Sequence, residues 1–155
     1  DLVNMTNGRA VLTHMFKSYE PYCGPIRTRT SGTLVSVESG VATAYALDTI
    51  QERGKLFITA GDEVYEGMIV GETPRAQDLS INIAKKKHLT NMRQSIRDLD
   101  ERLNPPRQMS LDEMIEYLGP DELLEVTPES LRLRKRILNT HDRLRSEKTG
   151  EVEED

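Results

Sequence analysis

The chain has 155 residues, of which 36% are hydrophobic and 30% are charged, and its formal net charge at pH 7 is −5. This length fits one compact domain. Cys23 is the single cysteine, so an internal disulfide is excluded. No apolar run is long enough to span a membrane. We therefore expect a domain from a reducing cytoplasm without a signal peptide or membrane contact. Because the sequence opens on Asp1 and runs directly into apolar residues, we expect a piece of a longer polypeptide.

The net charge hides a strong segregation along the chain. Residues 75–107 carry eight Lys or Arg against four Asp or Glu, and residues 131–148 carry seven against two. Between them, residues 108–130 contain seven acidic residues and no basic one, and residues 149–155 add four more acids. This pattern argues against a uniformly cationic nucleic-acid binder and fits a protein that presents cations at particular places.

The first half of the chain predicts short helices and strands. Val11, Leu12, Met15 and Phe16 recur at helical spacing, which predicts a short helix packed on the core. Gly67 lies inside an apolar run and indicates a bulge or a close backbone approach. The predicted helices cover residues 9–18 and 42–52, and the predicted strands cover 33–37, 56–58, 64–70 and 79–83.

The second half contains the clearest local signal. Ser110 and Glu113 have the spacing of a capping box, so a helix is predicted from Leu111 to Leu118. The alternation in residues 131–134 predicts a strand whose arginines share one face, with a helix as the alternative. Further helices are predicted over 94–103 and 141–148, and the last residues, 151–155, are expected to be disordered.

These elements indicate an α+β fold. We expect a single compact domain over residues 1–148, made of short strands in a partly barrel-like sheet with short peripheral helices, followed by a disordered acidic tail over residues 149–155.

A dense basic run follows the predicted strand at 79–83. Lysines this close repel one another and are costly to bury, so an anionic partner such as nucleic-acid phosphate would accommodate them. Short polar side chains among them suit contacts to a backbone or to unstacked bases. The alternative is a solvated basic loop. The predicted RNA-binding residues are Lys85, Lys86, Lys87, His88, Thr90, Asn91 and Arg93.

A second basic cluster lies on the strand predicted near the C-terminus. Arginine suits bidentate phosphate contacts and stacking on bases, so this cluster is a weaker candidate RNA surface. The alternative is that its side chains pair with the acidic helix that begins at Leu111, through Asp112, Glu113 and Glu116. The secondary candidates are Arg132, Arg134, Lys135 and Arg136.

The sequence gives little support for catalysis by this chain. It lacks a phosphate-binding P-loop and a Gly-x-Gly-x-x-Gly turn. His14, His88 and His141 lie far apart without nearby metal-ligating partners. We therefore predict no catalytic residue, no metal and no cofactor in this chain.

Several longer motifs resemble the C-terminal domain of the TypA/BipA translational GTPases. They occur in order along nearly the whole chain, excluding the acidic tail. The matching stretches are residues 43–47, 51–54, 63–71, 87–93, 105–107, 124–128 and 131–136.

This resemblance implies a ribosome-associated protein that acts in ribosome assembly and in growth under stress or cold. It implies GTP and Mg²⁺ in a G domain outside this chain, and the other domains of the same polypeptide as partners. It also implies that the basic run over residues 85–93 reaches large-subunit ribosomal RNA and the acceptor end of A-site transfer RNA. The alternative is a protein-interaction or intramolecular regulatory module that uses the acidic helix and tail.

Overall fold

A computed structural model of the chain describes residues 2, 6, 8–22, 24, 29–86 and 103–149. Within these residues the structure contains short strands, three α-helices and one 3₁₀ turn. In chain order they are β1 (Gly32–Ser36), β2 (Gly40–Val41), α1 (Ala44–Ile50), the 3₁₀ turn (Gln51–Arg53), β3 (Lys55–Leu56), β4 (Glu63–Val64), β5 (Ile69–Thr73), β6 (Leu79–Ile81), α2 (Leu111–Tyr117), β7 (Glu122–Val126), β8 (Leu131–Lys135) and α3 (Thr140–Thr149).

A four-stranded mixed sheet organises the fold. Its strand order is β3-β5-β1-β6, in which β1 pairs antiparallel with β5 and parallel with β6. Two antiparallel pairs, β2–β4 and β7–β8, form separate small sheets. The predicted α+β class is therefore confirmed. The described strands leave the sheet open, so the expectation of a partly barrel-like sheet was wrong.

The two faces of this sheet bury two apolar clusters. Successive side chains of a strand point to opposite faces, and Leu34 and Val35 of β1 accordingly belong to different clusters. The cluster of Leu34 packs with Leu47 of α1, whereas the cluster of Val35 packs with Tyr117 of α2 and Leu133 of β8. The sheet thus separates α1 from α2 and the β7–β8 hairpin.

Both central helices begin at side-chain caps. Thr43 caps α1 by accepting the Ala46 N–H at 3.2 Å. At α2, Ser110 accepts the Glu113 N–H at 3.3 Å while the Glu113 carboxylate accepts the Ser110 N–H at 2.7 Å. This is the predicted capping box, and the helix it predicted is confirmed.

Two predicted elements differ from the structure. Residues 9–22 contain no helix, and Val11 and Met15 are about 90% exposed. A helix this short gains its stability from packing, and the described fold offers these side chains no surface. The predicted strand at 64–70 is interrupted at Gly67, whose φ of +85° lies in the left-handed region. A Cβ at Gly67 would overlap Leu138, so the predicted close approach is confirmed.

The remaining predictions divide into three groups. The strands predicted at 33–37, 56–58, 79–83 and 131–134 and the helices at 42–52 and 141–148 are present, with shifted ends. The sequence missed β2, the partner of β4, and β7, the partner of β8. The helix predicted over 94–103, apart from Leu103, and the tail at 151–155 lie outside the described residues. In the part of the chain that the structure describes, no helix has the length and apolar character of a membrane span.

Candidate nucleic-acid interface

Strand β6 leads the chain from the core directly to the first lysines of the basic run. Ile83 is fully buried, and Lys85 and Lys86 are exposed. The Thr43 side chain donates a hydrogen bond to the Lys85 carbonyl oxygen at 2.7 Å, and the Thr43 N–H donates to the Ile83 carbonyl at 3.1 Å. Because Thr43 also caps α1, the backbone at Lys85 is fixed beside the N-terminus of that helix.

The chain rejoins the described fold at the other end of the same helix. Leu103 packs against the α1 cluster, and the Asn104 N–H donates to the Gln51 side-chain oxygen at 3.0 Å. Gln51 is the C-terminal cap of α1. At 1.5 Å per residue, the two anchors are separated by about 12 Å along the helix axis. The described residues on the two sides of this gap, Lys85 and Asn104, are therefore hydrogen-bonded to opposite ends of one short helix.

Two of the seven predicted primary residues can be placed in the structure. Lys85 and Lys86 are exposed, and no carboxylate among the described residues forms an ion pair with either ammonium group. The other five lie outside the described residues. They are Lys87, His88, Thr90, Asn91 and Arg93.

The secondary cluster lies on β8 and the residue after it. Arg132 and Arg134 are half-buried and share one strand face, as predicted, and Arg136 is exposed. Glu125 on β7 lies directly opposite Arg132, and its carboxylate accepts a hydrogen bond from the Tyr65 hydroxyl at 2.6 Å. The arginine face therefore carries a carboxylate as well as cations, which weakens its attraction for phosphate.

The pKa of the Tyr65 hydroxyl depends on the charges of this face. Burial and the hydrogen bond to Glu125 raise the pKa of Tyr65 well above its ordinary value, whereas the charges of Arg134 and Arg132 act in the opposite direction. Both guanidinium groups are therefore close enough to the Tyr65–Glu125 pair to influence it.

Lys135 has a different role from the one predicted, and it does not belong to the candidate RNA surface. Its side chain is 2% exposed, and the ammonium group lies 2.5 Å from Asp78, 2.7 Å from Asp121 and 2.9 Å from Glu122. Strand alternation explains the correction, because Lys135 shares a face with the buried Leu133 and not with the arginines. An ammonium group enclosed by three carboxylates has no open side for phosphate.

Arg29 completes a buried ionic cluster around Glu122. Its guanidinium makes a bidentate contact with the fully buried Glu122 carboxylate, at 2.7 and 2.9 Å. It also lies 4.3 Å from the centre of the Tyr117 ring, over its face. Burial raises the pKa of Tyr117 to about 12. Since Arg29 and Glu122 are 93 residues apart in the sequence, sequence reasoning gave no signal for this pair.

The cluster keeps its members charged despite their burial. Burial by itself would raise the pKa of Glu122, but the Arg29 hydrogen bond and the Lys135 charge hold it below its ordinary value. The pKa of Asp78 is also below its ordinary value. Burial would raise it, but hydrogen bonds from Lys135 and Thr33 lower it. For Lys135, burial would lower the pKa, but hydrogen bonds to Asp121 and Asp78 raise it. These ions connect the β7–β8 hairpin to the main sheet.

The described charged residues differ in their surroundings. Lys85 and Lys86 are exposed beyond a buried strand, whereas Lys135 and Glu122 are buried and paired with each other inside the fold. Among the described residues, no three His, Cys, Asp or Glu side chains are grouped so that they could hold a metal ion.

Comparison with known proteins identifies the family. The sequence model of the TypA/BipA C-terminal domain matches residues 31–140. A Synechocystis protein named large ribosomal subunit assembly factor BipA is 47% identical over 87% of this chain and 23% of its own length. The Bacillus subtilis protein of the same name is 46% identical over 96% of this chain and 24% of its own length.

A chloroplast relative extends the comparison beyond bacteria. A protein of Arabidopsis thaliana named putative elongation factor TypA-like SVR3, chloroplastic, is 47% identical over 86% of this chain and 20% of its own length. The chain therefore spans about a quarter or less of each of these relatives. Because the family match covers more than half of its residues, the chain belongs to the TypA/BipA C-terminal domain family.

Proposed function

We propose that this domain attaches its parent protein to the ribosome by binding ribosomal RNA, and transfer RNA where the two meet, through the basic run that begins at Lys85. The parent protein would act in assembly of the large ribosomal subunit, as the names of the relatives say of those proteins. Hydrolysis of GTP, with Mg²⁺, would belong to a domain outside this chain.

One observation carries this proposal. Lys85 and Lys86 are exposed at a place where the backbone is fixed by Thr43, and no described carboxylate neutralises them. The sequence continues into two further cations, Lys87 and Arg93. Cations on a fixed backbone can neutralise several phosphates and release their counterions, which favours binding to RNA.

The predicted roles differ between residue types. The ammonium groups of Lys85, Lys86 and Lys87 and the Arg93 guanidinium would contact phosphate oxygens. His88, Thr90 and Asn91 would position or read the acceptor strand through short hydrogen bonds. Arg132, Arg134 and Arg136 would provide a weaker supporting surface, because Glu125 shares that region.

The test is binding of the chain to purified large ribosomal subunits by co-sedimentation at several salt concentrations. Replacing Lys85, Lys86 and Lys87 with glutamine should weaken binding at least tenfold and make it less dependent on salt, because phosphate contacts are lost. The control replaces three exposed cations, Lys17, Arg145 and Lys148, with glutamine and changes the net charge equally. Equal binding by the two variants would refute the proposal.

A further inference from the structure

An open groove of about 790 Å³ lies along β3, at the edge of the four-stranded sheet. Its volume falls within the range of about 300–1,000 Å³ that is typical of small-molecule sites. The groove is lined by charged and amide side chains, with proline rings beside them. The polar lining residues are Ser31, Gln51, Glu52, Arg53, Lys55, Glu72, Thr73, Asn104 and Arg107.

Backbone contacts fix the cationic walls of this groove. Gly54 lies against the Glu72 carbonyl so closely that a Cβ would overlap it, which holds the neighbouring Arg53 and Lys55 at the sheet edge. The opposite wall is held by the Arg107 N–H, which donates to the Leu56 carbonyl at 2.8 Å. The backbone that carries these cations is therefore fixed, although their side chains reach solvent.

The charges in the groove are only partly compensated. The Arg107 side chain is 41% exposed and forms an ion pair with Glu72 at 2.9 Å. Arg53 and Lys55 are exposed, and among the described residues no carboxylate forms an ion pair with either of them. Glu52 is the remaining acid in the lining. The lining thus carries three cations against two acids, and two of the cations, Arg53 and Lys55, form no ion pair with a described carboxylate.

The groove adjoins Asn104, near the point where the described chain resumes at Leu103. Asn104, which lines it, is hydrogen-bonded to Gln51 at the C-terminal end of α1. Lys85 is hydrogen-bonded to Thr43 at the other end of this helix, and Thr43 and Gln51 are about 12 Å apart along the helix axis. Neighbouring phosphates of one RNA strand are separated by less than that distance, so one strand could reach both places.

We propose that this groove binds a phosphate and its attached nucleoside from single-stranded RNA, as a second contact that extends the RNA interface proposed above and rests on it. Arg53, Lys55 and Arg107 would contact the phosphate. The exposed Asn104 side chain lines the groove, where it could form hydrogen bonds with an unstacked base, which is how single-stranded RNA is commonly read. The Gln51 amide already accepts the Asn104 N–H and donates to Asp48, so it holds the wall of the groove. An acidic peptide would satisfy the cations but would leave the Asn104 amide without a base edge.

The test uses the whole chain, labelled with ¹⁵N and titrated with the single-stranded RNA r(U)6 or with a hexaglutamate peptide. The amide signals of Arg53, Lys55, Asn104 and Arg107 should shift with r(U)6. Replacing Arg53 and Lys55 with glutamine should weaken r(U)6 binding at least fivefold and reduce the log–log salt slope by up to about 0.7, the value for the single phosphate that the groove would bind.

Two controls distinguish the explanations. The variant Arg145→Gln/Lys148→Gln removes two exposed cations from α3 and should bind r(U)6 like the unmodified chain, and circular dichroism should show all variants folded. Hexaglutamate binding as tightly as r(U)6, or r(U)6 shifts confined to other surfaces, would overturn the proposal.

Binding to large ribosomal subunits separates this inference from the function on which it rests. If the Lys85–Lys87 glutamine variant loses binding while the Arg53/Lys55 variant binds normally, the groove proposal fails and the proposed function stands. If the Arg53/Lys55 variant loses binding while the lysine variant binds normally, the groove contact stands and the role of the basic run fails. Loss of binding in both variants supports both.

Discussion

Replacing Lys135 with methionine tests whether this residue is structural. Methionine keeps an unbranched apolar side chain along the buried path but removes the ammonium group that three carboxylates surround. The substitution leaves Asp78 and the fully buried Glu122 without one of their counter-ions.

The expected loss of unfolding free energy follows from these contacts. Breaking a buried ion pair by removing one partner costs about 3–5 kcal/mol. The lower end applies here, because Glu122 keeps its bidentate contact with Arg29 and Asp121 is 54% exposed. We therefore expect a loss of about 3 kcal/mol at pH 7. The double variant Asp78→Asn/Lys135→Met should recover part of the lost unfolding free energy, because it also removes the unpaired charge of Asp78.

Urea denaturation followed by circular dichroism measures this loss and its pH dependence. Asp78 and Glu122 have pKa values below their ordinary 3.8 and 4.5, so their ionic stabilisation is present above those values and is lost as pH falls through the folded-state values. The advantage of the unmodified chain should be complete above about pH 5 and should shrink below about pH 4.

Two results would refute this reasoning about Lys135. A variant within about 0.5 kcal/mol of the unmodified chain at pH 7 would show that the ionic cluster contributes little stability. A variant of full stability that binds large ribosomal subunits more weakly would place Lys135 on the RNA surface after all.

Three further substitutions test local features of the fold by thermal or urea denaturation. Gly54→Ala should cost about 1–3 kcal/mol because the added methyl group overlaps the Glu72 carbonyl, and an unchanged stability would contradict this packing. Ser110→Ala should lower the free energy of unfolding by about 1 kcal/mol because the α2 cap is lost. Ser110→Asp should keep most of the stability that the cap provides. Thr43→Val should lower the free energy of unfolding by about 1–2 kcal/mol, because it removes the α1 cap and the hydrogen bond to the Lys85 carbonyl. Thr43→Ser keeps the hydroxyl group, so an equal loss in that variant would contradict a cap that depends on the hydroxyl.

Features specified by neighbouring residues could be predicted from the sequence. The α2 capping box needs only Ser110 and Glu113, three residues apart, and the β8 strand is marked by alternation within residues 131–134. The lysines at 85 and 86 follow a strand whose own alternation is visible, so their exposure at its end was also predictable.

Features that depend on distant contacts could not be predicted. Helical spacing over residues 9–18 indicates which side chains could share a face, but not whether any surface covers that face, and Phe16 is 74% exposed. The partners of Lys135 come from separate places in the chain, since Asp78 precedes β6 and Asp121 precedes β7. Only the fold brings these charges together, and it thereby converts a predicted RNA contact into a structural one.

Chemical footprinting of ribosomal RNA tests the central proposal most directly. The parent protein, with and without glutamine at Lys85, Lys86 and Lys87, would be bound to large ribosomal subunits at concentrations that give equal occupancy. If the basic run binds RNA, the unmodified protein should protect a discrete set of RNA nucleotides and the variant should lose part of that set. An identical protection pattern for both proteins would contradict RNA binding through the basic run.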